Sequence, residues 1–106
     1  MTEPELKALL EDVASKAASF RAGASARIHR PEAGYLAVRE RFAGPAPETG
    51  LPAEQAIAEL DALVQGGLAN MIGPRFFGWV IGATAPAGLA ADWLTSAWGQ
   101  NCGNSL

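Results

Sequence analysis

Residues of the types that perform catalysis are sparse in this sequence, and they do not occur at catalytic spacings. His29 is the only histidine, and no serine, cysteine or acid stands in a recognisable catalytic register with it. Cys102 is the only cysteine, so the chain can form neither an intrachain disulfide nor a zinc site of several thiolates. We predict a solvent-facing His29, an unreactive Cys102, no catalytic residue and no metal site.

The acid Asp92 and the glycine-rich stretch before it are weak candidates for chemistry. Asp92 is the only charged side chain after Arg75. Because burying an unpaired carboxylate is costly, we expect Asp92 to be paired, capped or exposed, in a structural role. The stretch GATAPAG, from Gly82 to Gly88, lies between a predicted strand and a predicted helix. It lacks the glycine spacing of phosphate-binding loops, so we predict no phosphate site there.

Composition limits the classes of protein to which the chain belongs. With 106 residues, 49% of them apolar, it has the length and composition of one small globular domain. The net charge of −3 argues against nucleic-acid binding, and we interpret the arginine cluster from Arg21 to Arg41 as a solvated or subunit-facing surface. The uncharged run from Phe76 to Ala91 is too short and too often broken to cross a membrane. With no secretory signal, we expect a cytoplasmic protein.

Local signals predict three main helices and one short strand, which makes the fold mainly α. Thr2 and Glu5 have the spacing of a capping box at the start of the first helix. Pro31 blocks a continuous helix through the following connector and leaves room for a short helix after it. Thr84 is placed to cap the last helix, with Pro86 in its first turn. The predicted helices cover about residues 3–22, 53–65 and 86–98, and the predicted strand covers about 75–81.

One segment carries a resemblance to a known family. The sequence PRFFGWVIGATAPAGLAADWLTSAWGQN, from Pro74 to Asn101, resembles the N-terminal region of group II pyridoxal-phosphate-dependent decarboxylases, the family of aromatic-amino-acid and glutamate decarboxylases. The resemblance implies that residues 1–106 are the N-terminal dimerisation segment of a fold-type-I enzyme with an amino-acid substrate. It further implies a homodimer and a set of residues that shape the substrate pocket: Trp79, Val80, Gly82 and Thr84.

The resemblance implies pyridoxal phosphate as the cofactor of the complete enzyme and not of this chain alone. The family holds the cofactor through a lysine. The only lysines here, Lys7 and Lys16, lie on the predicted solvated side of the first helix, each four residues from an acid. We therefore expect the cofactor lysine to lie outside this chain, and the chain to be inactive alone.

Two other functions stay open on sequence grounds. The chain is then either a non-catalytic helical module, which pairs with itself or with a full-length decarboxylase subunit, or a stand-alone helical domain of unrelated function. The uncharged, aromatic-rich segment after Arg75 leads us to expect that neighbours outside this chain enclose it.

Overall fold

The computed structural model describes residues 1–100 and 103, and its regular structure is helical. The mainly α prediction is confirmed, and the three predicted helices end within one residue of their expected bounds. A short helix also follows Pro31, as its position allows. The helices are α1 (Glu3–Ala22), α2 (Tyr35–Arg41), α3 (Ala53–Val64) and α4 (Pro86–Trp98). The chain forms two compact units, Met1–Phe76 and Phe77–Leu106, so α4 belongs to the second unit alone.

Helix α1 begins at the predicted capping box. The Thr2 hydroxyl accepts a hydrogen bond from the Glu5 backbone N–H at 3.3 Å, and the Thr2 backbone N–H donates to the Glu5 carboxylate at 2.6 Å. These two bonds satisfy two backbone donors that a helix N-terminus otherwise leaves open. The hydrogen bond from the Thr2 backbone, and then the one from its side chain, lower the pKa of the Glu5 carboxyl.

The C-terminal end of α3 is fixed by a side chain from α2. Arg41 donates through Nη1 to the carbonyl oxygens of Leu63 at 3.2 Å and Gln65 at 2.6 Å. Helix C-termini expose such carbonyl oxygens, and a guanidinium both binds them and complements the negative end of the helix dipole. Gly66 then takes a φ of 74°, which ends the helix. Gly66 thus stops the helix, while Arg41 supplies hydrogen bonds to the carbonyl oxygens at its end.

The predicted strand over residues 75–81 is wrong: this segment contains only turns and irregular backbone. A strand needs a second strand to bond its backbone groups, and the described part of the chain contains none. Trp79 and Val80 also take positive φ values of 67° and 50°, which no β-strand contains. The cap prediction for α4 is wrong by one residue as well, because the N-cap is Ala85 and not Thr84.

The described residues form no apolar core. No hydrophobic side chain among them is buried, and the buried residue in this part of the chain is a polar one, Asn70. Large apolar side chains on the helices remain about half exposed, such as Leu6 at 46% and Leu94 at 51%. None of the described helices has the length and hydropathy needed to span a membrane.

Candidate functional site

The four predicted pocket residues lie in the irregular segment that precedes α4. Trp79, Val80, Gly82 and Thr84 are all exposed. The Trp79 side chain is 81% exposed and that of Val80 is 103% exposed, so neither packs against its own unit. The structure thus gathers these residues into one short exposed segment and builds no enclosed pocket from them. As pocket residues they remain a prediction.

The backbone at Trp79 and Val80 is strained. Both residues have positive φ, a conformation rare for L-residues and especially unfavourable for a β-branched residue such as Val80. Strain of this kind costs about 1–3 kcal/mol per residue. The nearby glycines, Gly78 and Gly82, do not take a positive φ. The turn therefore projects an indole and an isopropyl group outward at a conformational cost.

Helix α4 continues this exposed surface. Leu94 is 51% exposed and Trp98, one turn later, is 63% exposed. Asp92 is exposed, which agrees with one of the states expected for it. Gly99 ends the helix in the left-handed conformation, with a φ of 58°, and donates its N–H to the Thr95 carbonyl at 3.2 Å. The second unit thus presents apolar side chains both before and along α4.

A polar junction around Asn70 organises the first unit. The Asn70 side chain is buried and donates through Nδ2 to the carbonyl oxygens of Ala24 at 2.7 Å and Arg27 at 3.1 Å. Its backbone N–H donates to the His29 carbonyl at 3.0 Å. A Cβ added at Gly73 would lie 2.4 Å from Nδ2, so only glycine permits this approach. One asparagine thereby fixes the connector after α1. Sequence reasoning missed Asn70, and no local pattern singles it out.

Two arginines support the same junction: Arg27 from the predicted basic cluster and Arg75 from outside it. The Arg27 guanidinium carbon lies 4.0 Å from the centroid of the Phe20 ring, a cation–π contact. Arg75 donates through Nη2 to the carbonyl oxygens of Ser25 at 3.4 Å and Arg27 at 3.3 Å. Because Arg27 and Arg75 contact protein groups, they act in the structure of the first unit.

An open cleft of about 760 Å³ lies beside this junction. Its walls include the cations Lys16, Arg27 and Arg30 and the acids Glu32 and Asp61. Neither a histidine nor a cysteine lines the cleft, and two serines, Ser15 and Ser19, lie on its α1 wall. Two buried polar atoms in its walls have no hydrogen-bond partner: Arg27 Nη2 and Asn70 Oδ1. The cleft is therefore an open space with both charged and apolar walls.

A pyridoxal phosphate site holds its cofactor through a lysine. Lys7 pairs with Glu11 at 3.7 Å and Lys16 pairs with Asp12, all on α1. Among the described residues, no group of three or more histidines, cysteines and acids is placed to hold a metal ion. Cys102 lies outside the described residues.

No family model, no curated protein and no solved structure matches the sequence.

Proposed function

We propose that this chain is the N-terminal segment of a pyridoxal-phosphate-dependent amino-acid decarboxylase, where it pairs subunits and helps to shape the substrate pocket. The residue pattern from Pro74 to Asn101 is the source of the proposal. In this proposal the complete enzyme is a cytoplasmic fold-type-I homodimer, and residues elsewhere in it hold the cofactor. The chain by itself is inactive.

One observation carries the proposal: the resembling segment exposes its aromatic side chains. Phe77 is 91% exposed, Trp79 is 81% exposed and Trp98 is 63% exposed. Fully burying a large apolar side chain contributes about 1.5–3 kcal/mol, and exposed apolar surface of this kind marks contact sites. A segment that lines a pocket and contacts a partner subunit has this property, because the surface that covers it belongs to other parts of the assembly.

In such an enzyme, the role of this chain is to position the amino-acid substrate and to enclose it. Trp79 and Val80 project from the strained turn, where an indole is suited to pack against an amino-acid side chain and to exclude water from it. Backbone strain is often retained at functional sites, where the surroundings hold it in place. The side chain of Thr84 offers a hydroxyl near this turn.

The gene region that follows codon 106 provides the first test. We expect it to encode a lysine-bearing cofactor domain, either in the same frame, in a shifted frame or in an adjoining gene. A region that encodes no such domain would contradict the proposal.

The assembled enzyme provides the second test, through CO2 release from a panel of aromatic and acidic L-amino acids. We expect Trp79→Ala to lower kcat/KM by roughly tenfold, because a pocket contact is lost. Phe42→Ala is the matched control, since Phe42 is also exposed but lies in the first unit. Equal effects of the two substitutions would show that Trp79 does not line the substrate pocket.

A second candidate function is a non-catalytic module that pairs with itself or with a decarboxylase subunit. The half-exposed leucines of α1, Leu6 at 46% and Leu10 at 45%, favour it. Sedimentation equilibrium of the purified chain is the test, and self-association without any cofactor domain is the expected result. This function would be excluded if the chain is monomeric at all concentrations and does not bind the complete enzyme.

A further inference from the structure

The open cleft of the first unit is built from three parts of the chain. Its walls come from the second half of α1, from the connector after α1, and from the end of α3 with the residues that follow it. Backbone hydrogen bonds join the connector to the residues after α3. Ala33 donates its N–H to the Gly66 carbonyl at 2.8 Å, and Asn70 donates its N–H to the His29 carbonyl at 3.0 Å. The cleft volume of about 760 Å³ lies in the range of small-molecule sites.

The charged side chains that line the cleft differ in how far they are already paired. Lys16 pairs with Asp12 of its own helix. Arg30 and Glu32 are both exposed, and in the described part of the chain neither of them forms an ion pair. One guanidinium and one carboxylate on the connector therefore face the cleft without a counter-charge from the protein.

The guanidinium of Arg27 adds a donor that lacks a partner. Its Nη2 atom is closed to water and forms no hydrogen bond, a state that is costly for a charged donor. The same group lies 4.0 Å from the centroid of the Phe20 ring, which is 38% exposed. A cation–π contact at an exposed ring is weaker than a hydrogen bond to a charged group. An anion in the cleft therefore gains more by turning Arg27 away from the ring than the ring contact gives up.

We propose that this cleft binds a small carboxylate that carries several hydroxyl groups, which is the chemistry of a sugar acid. The ligand carboxylate accepts hydrogen bonds from the guanidinium groups of Arg27 and Arg30, because the planar fork of an arginine matches the two oxygens of a carboxylate. The ligand hydroxyl groups donate to the carboxylates of Glu32 and Asp61, both of which line the same cleft.

The balance of charge in the walls selects against two other classes of ligand. Because Asp12 offsets Lys16, the two remaining cations face two acids, Glu32 and Asp61. A phosphate monoester carries about −1.5 to −2 charges at neutral pH, so these acids repel it more strongly than they repel a carboxylate. A carboxylate without hydroxyl groups leaves both acids without a donor. A single negative charge combined with neutral donors fits the walls best.

The remaining walls suit the carbon chain of such a ligand. Ile28 and Leu68 line the cleft and are each 48% exposed, so they present apolar surface to it. Ser15 and Ser19 add neutral hydroxyl groups from α1. All of these residues belong to the first unit and lie outside the segment from Pro74 to Asn101, so the cleft proposal does not rest on the decarboxylase function.

Probes of equal carbon number separate the contributions of charge and hydroxyl groups. D-gluconate has both, hexanoate has the carboxylate without hydroxyl groups, and sorbitol has hydroxyl groups without the carboxylate. Each probe is titrated into the full chain and followed by backbone amide chemical shifts in NMR. We expect gluconate to bind with a Kd on the order of 1 mM and to shift the amides of residues 27–32 and 61–66. Hexanoate, sorbitol and glucose 6-phosphate should each bind about tenfold more weakly.

Two substitutions at exposed cleft residues test the assigned contacts. We expect Arg30→Gln to weaken gluconate binding by about tenfold, because a charge-assisted hydrogen bond is lost. Glu32→Gln should weaken gluconate binding by about threefold and strengthen binding of glucose 6-phosphate, because a repelling charge is removed. Arg39→Gln and Glu40→Gln are the matched controls, since they make the same changes at exposed positions of α2 outside the cleft. Circular dichroism verifies that each variant keeps its helix content.

Each contrary result overturns a defined part of this proposal. The site is overturned if gluconate shifts no cleft amide up to about 50 mM, or if Arg39→Gln weakens binding as much as Arg30→Gln does. The ligand class is overturned if hexanoate, sorbitol or glucose 6-phosphate binds as tightly as gluconate. None of these results bears on the gene region after codon 106, which tests the decarboxylase proposal separately.

Discussion

The two units of this chain stabilise their irregular segments in different ways. In Met1–Phe76, the side chains of Arg41, Asn70 and Arg75 donate hydrogen bonds to backbone carbonyl oxygens that are between 22 and 50 residues away in sequence. In the unit that begins at Phe77, the side chains of Thr95 and Gln100 donate to carbonyl oxygens only four and two residues away. Long-range polar bonds thus organise the first unit, whereas the second combines local bonds with exposed aromatic side chains.

This difference shows how loops are ordered when no apolar core is present. Backbone carbonyl groups removed from water must find donors, and in the first unit Asn70 and the two arginines provide them. The second unit leaves Phe77 and Trp79 exposed at 91% and 81%, and the side-chain hydrogen bonds of Thr95 and Gln100 in it are local. The first unit is therefore the more self-sufficient of the two, and substitutions should affect the two units differently.

The largest effect is expected from Asn70→Asp. The carboxylate keeps the shape of the amide but cannot donate, so the Ala24 and Arg27 carbonyl oxygens lose their donor and face a negative charge. We expect the free energy of unfolding of the first unit to fall by about 3 kcal/mol, measured by urea unfolding monitored by circular dichroism. Gln100→Glu makes the same chemical change at an exposed site and should have little effect. Equal effects would remove the distinction between the units.

An increase in stability is expected from Val80→Gly in the second unit. Val80 has a φ of 50° and a fully exposed side chain, so glycine relieves the strain without loss of packing. We expect a gain of about 1 kcal/mol, measured as a rise in the midpoint of thermal unfolding of α4. Val80→Ala retains a Cβ and should gain much less. If Val80→Ala stabilises the unit as much as Val80→Gly does, relief of backbone strain at this turn is not the cause of the gain.

The smallest effect concerns the capping box of α1 and its pH dependence. The pKa of Glu5 is lower in the folded chain than in the unfolded one, because Thr2 donates to its carboxylate. The stabilisation is therefore present above the ordinary pKa of a glutamate and is lost as the pH falls through the lowered pKa. We expect Glu5→Gln to reduce helix content slightly at neutral pH and to match wild type in strong acid, by circular dichroism. A pH-independent difference would contradict this assignment.

The positions of the helices were predictable because their signals are local. The Thr2 capping box, Pro86 in the first turn of α4 and the glycines after α3 act within one helical turn of the residues they affect. The strand at 75–81 was not predictable in the same way, because a strand forms only where a second strand is available to it. The aromatic side chains of that segment are of a type that favours burial, and a side chain can be buried without belonging to a strand.

The features of the candidate site also divide into those that the sequence indicates and those that it does not. The exposed state of Trp79 follows from the scarcity of partners for an aromatic, uncharged segment, which the sequence indicates. The positive φ values of Trp79 and Val80 do not follow from the sequence, because both residue types favour extended backbone.

The mainly α fold and the ends of the helices follow from the sequence alone, because spacing and caps act over three to five residues. Three features needed the folded chain to become visible: Asn70 is the buried polar centre of the first unit, Arg41 and Arg75 bind distant carbonyl oxygens, and residues 75–81 form no strand. Each of these features depends on contacts between groups that are 20 or more residues apart in the sequence. No local sequence pattern predicts such contacts.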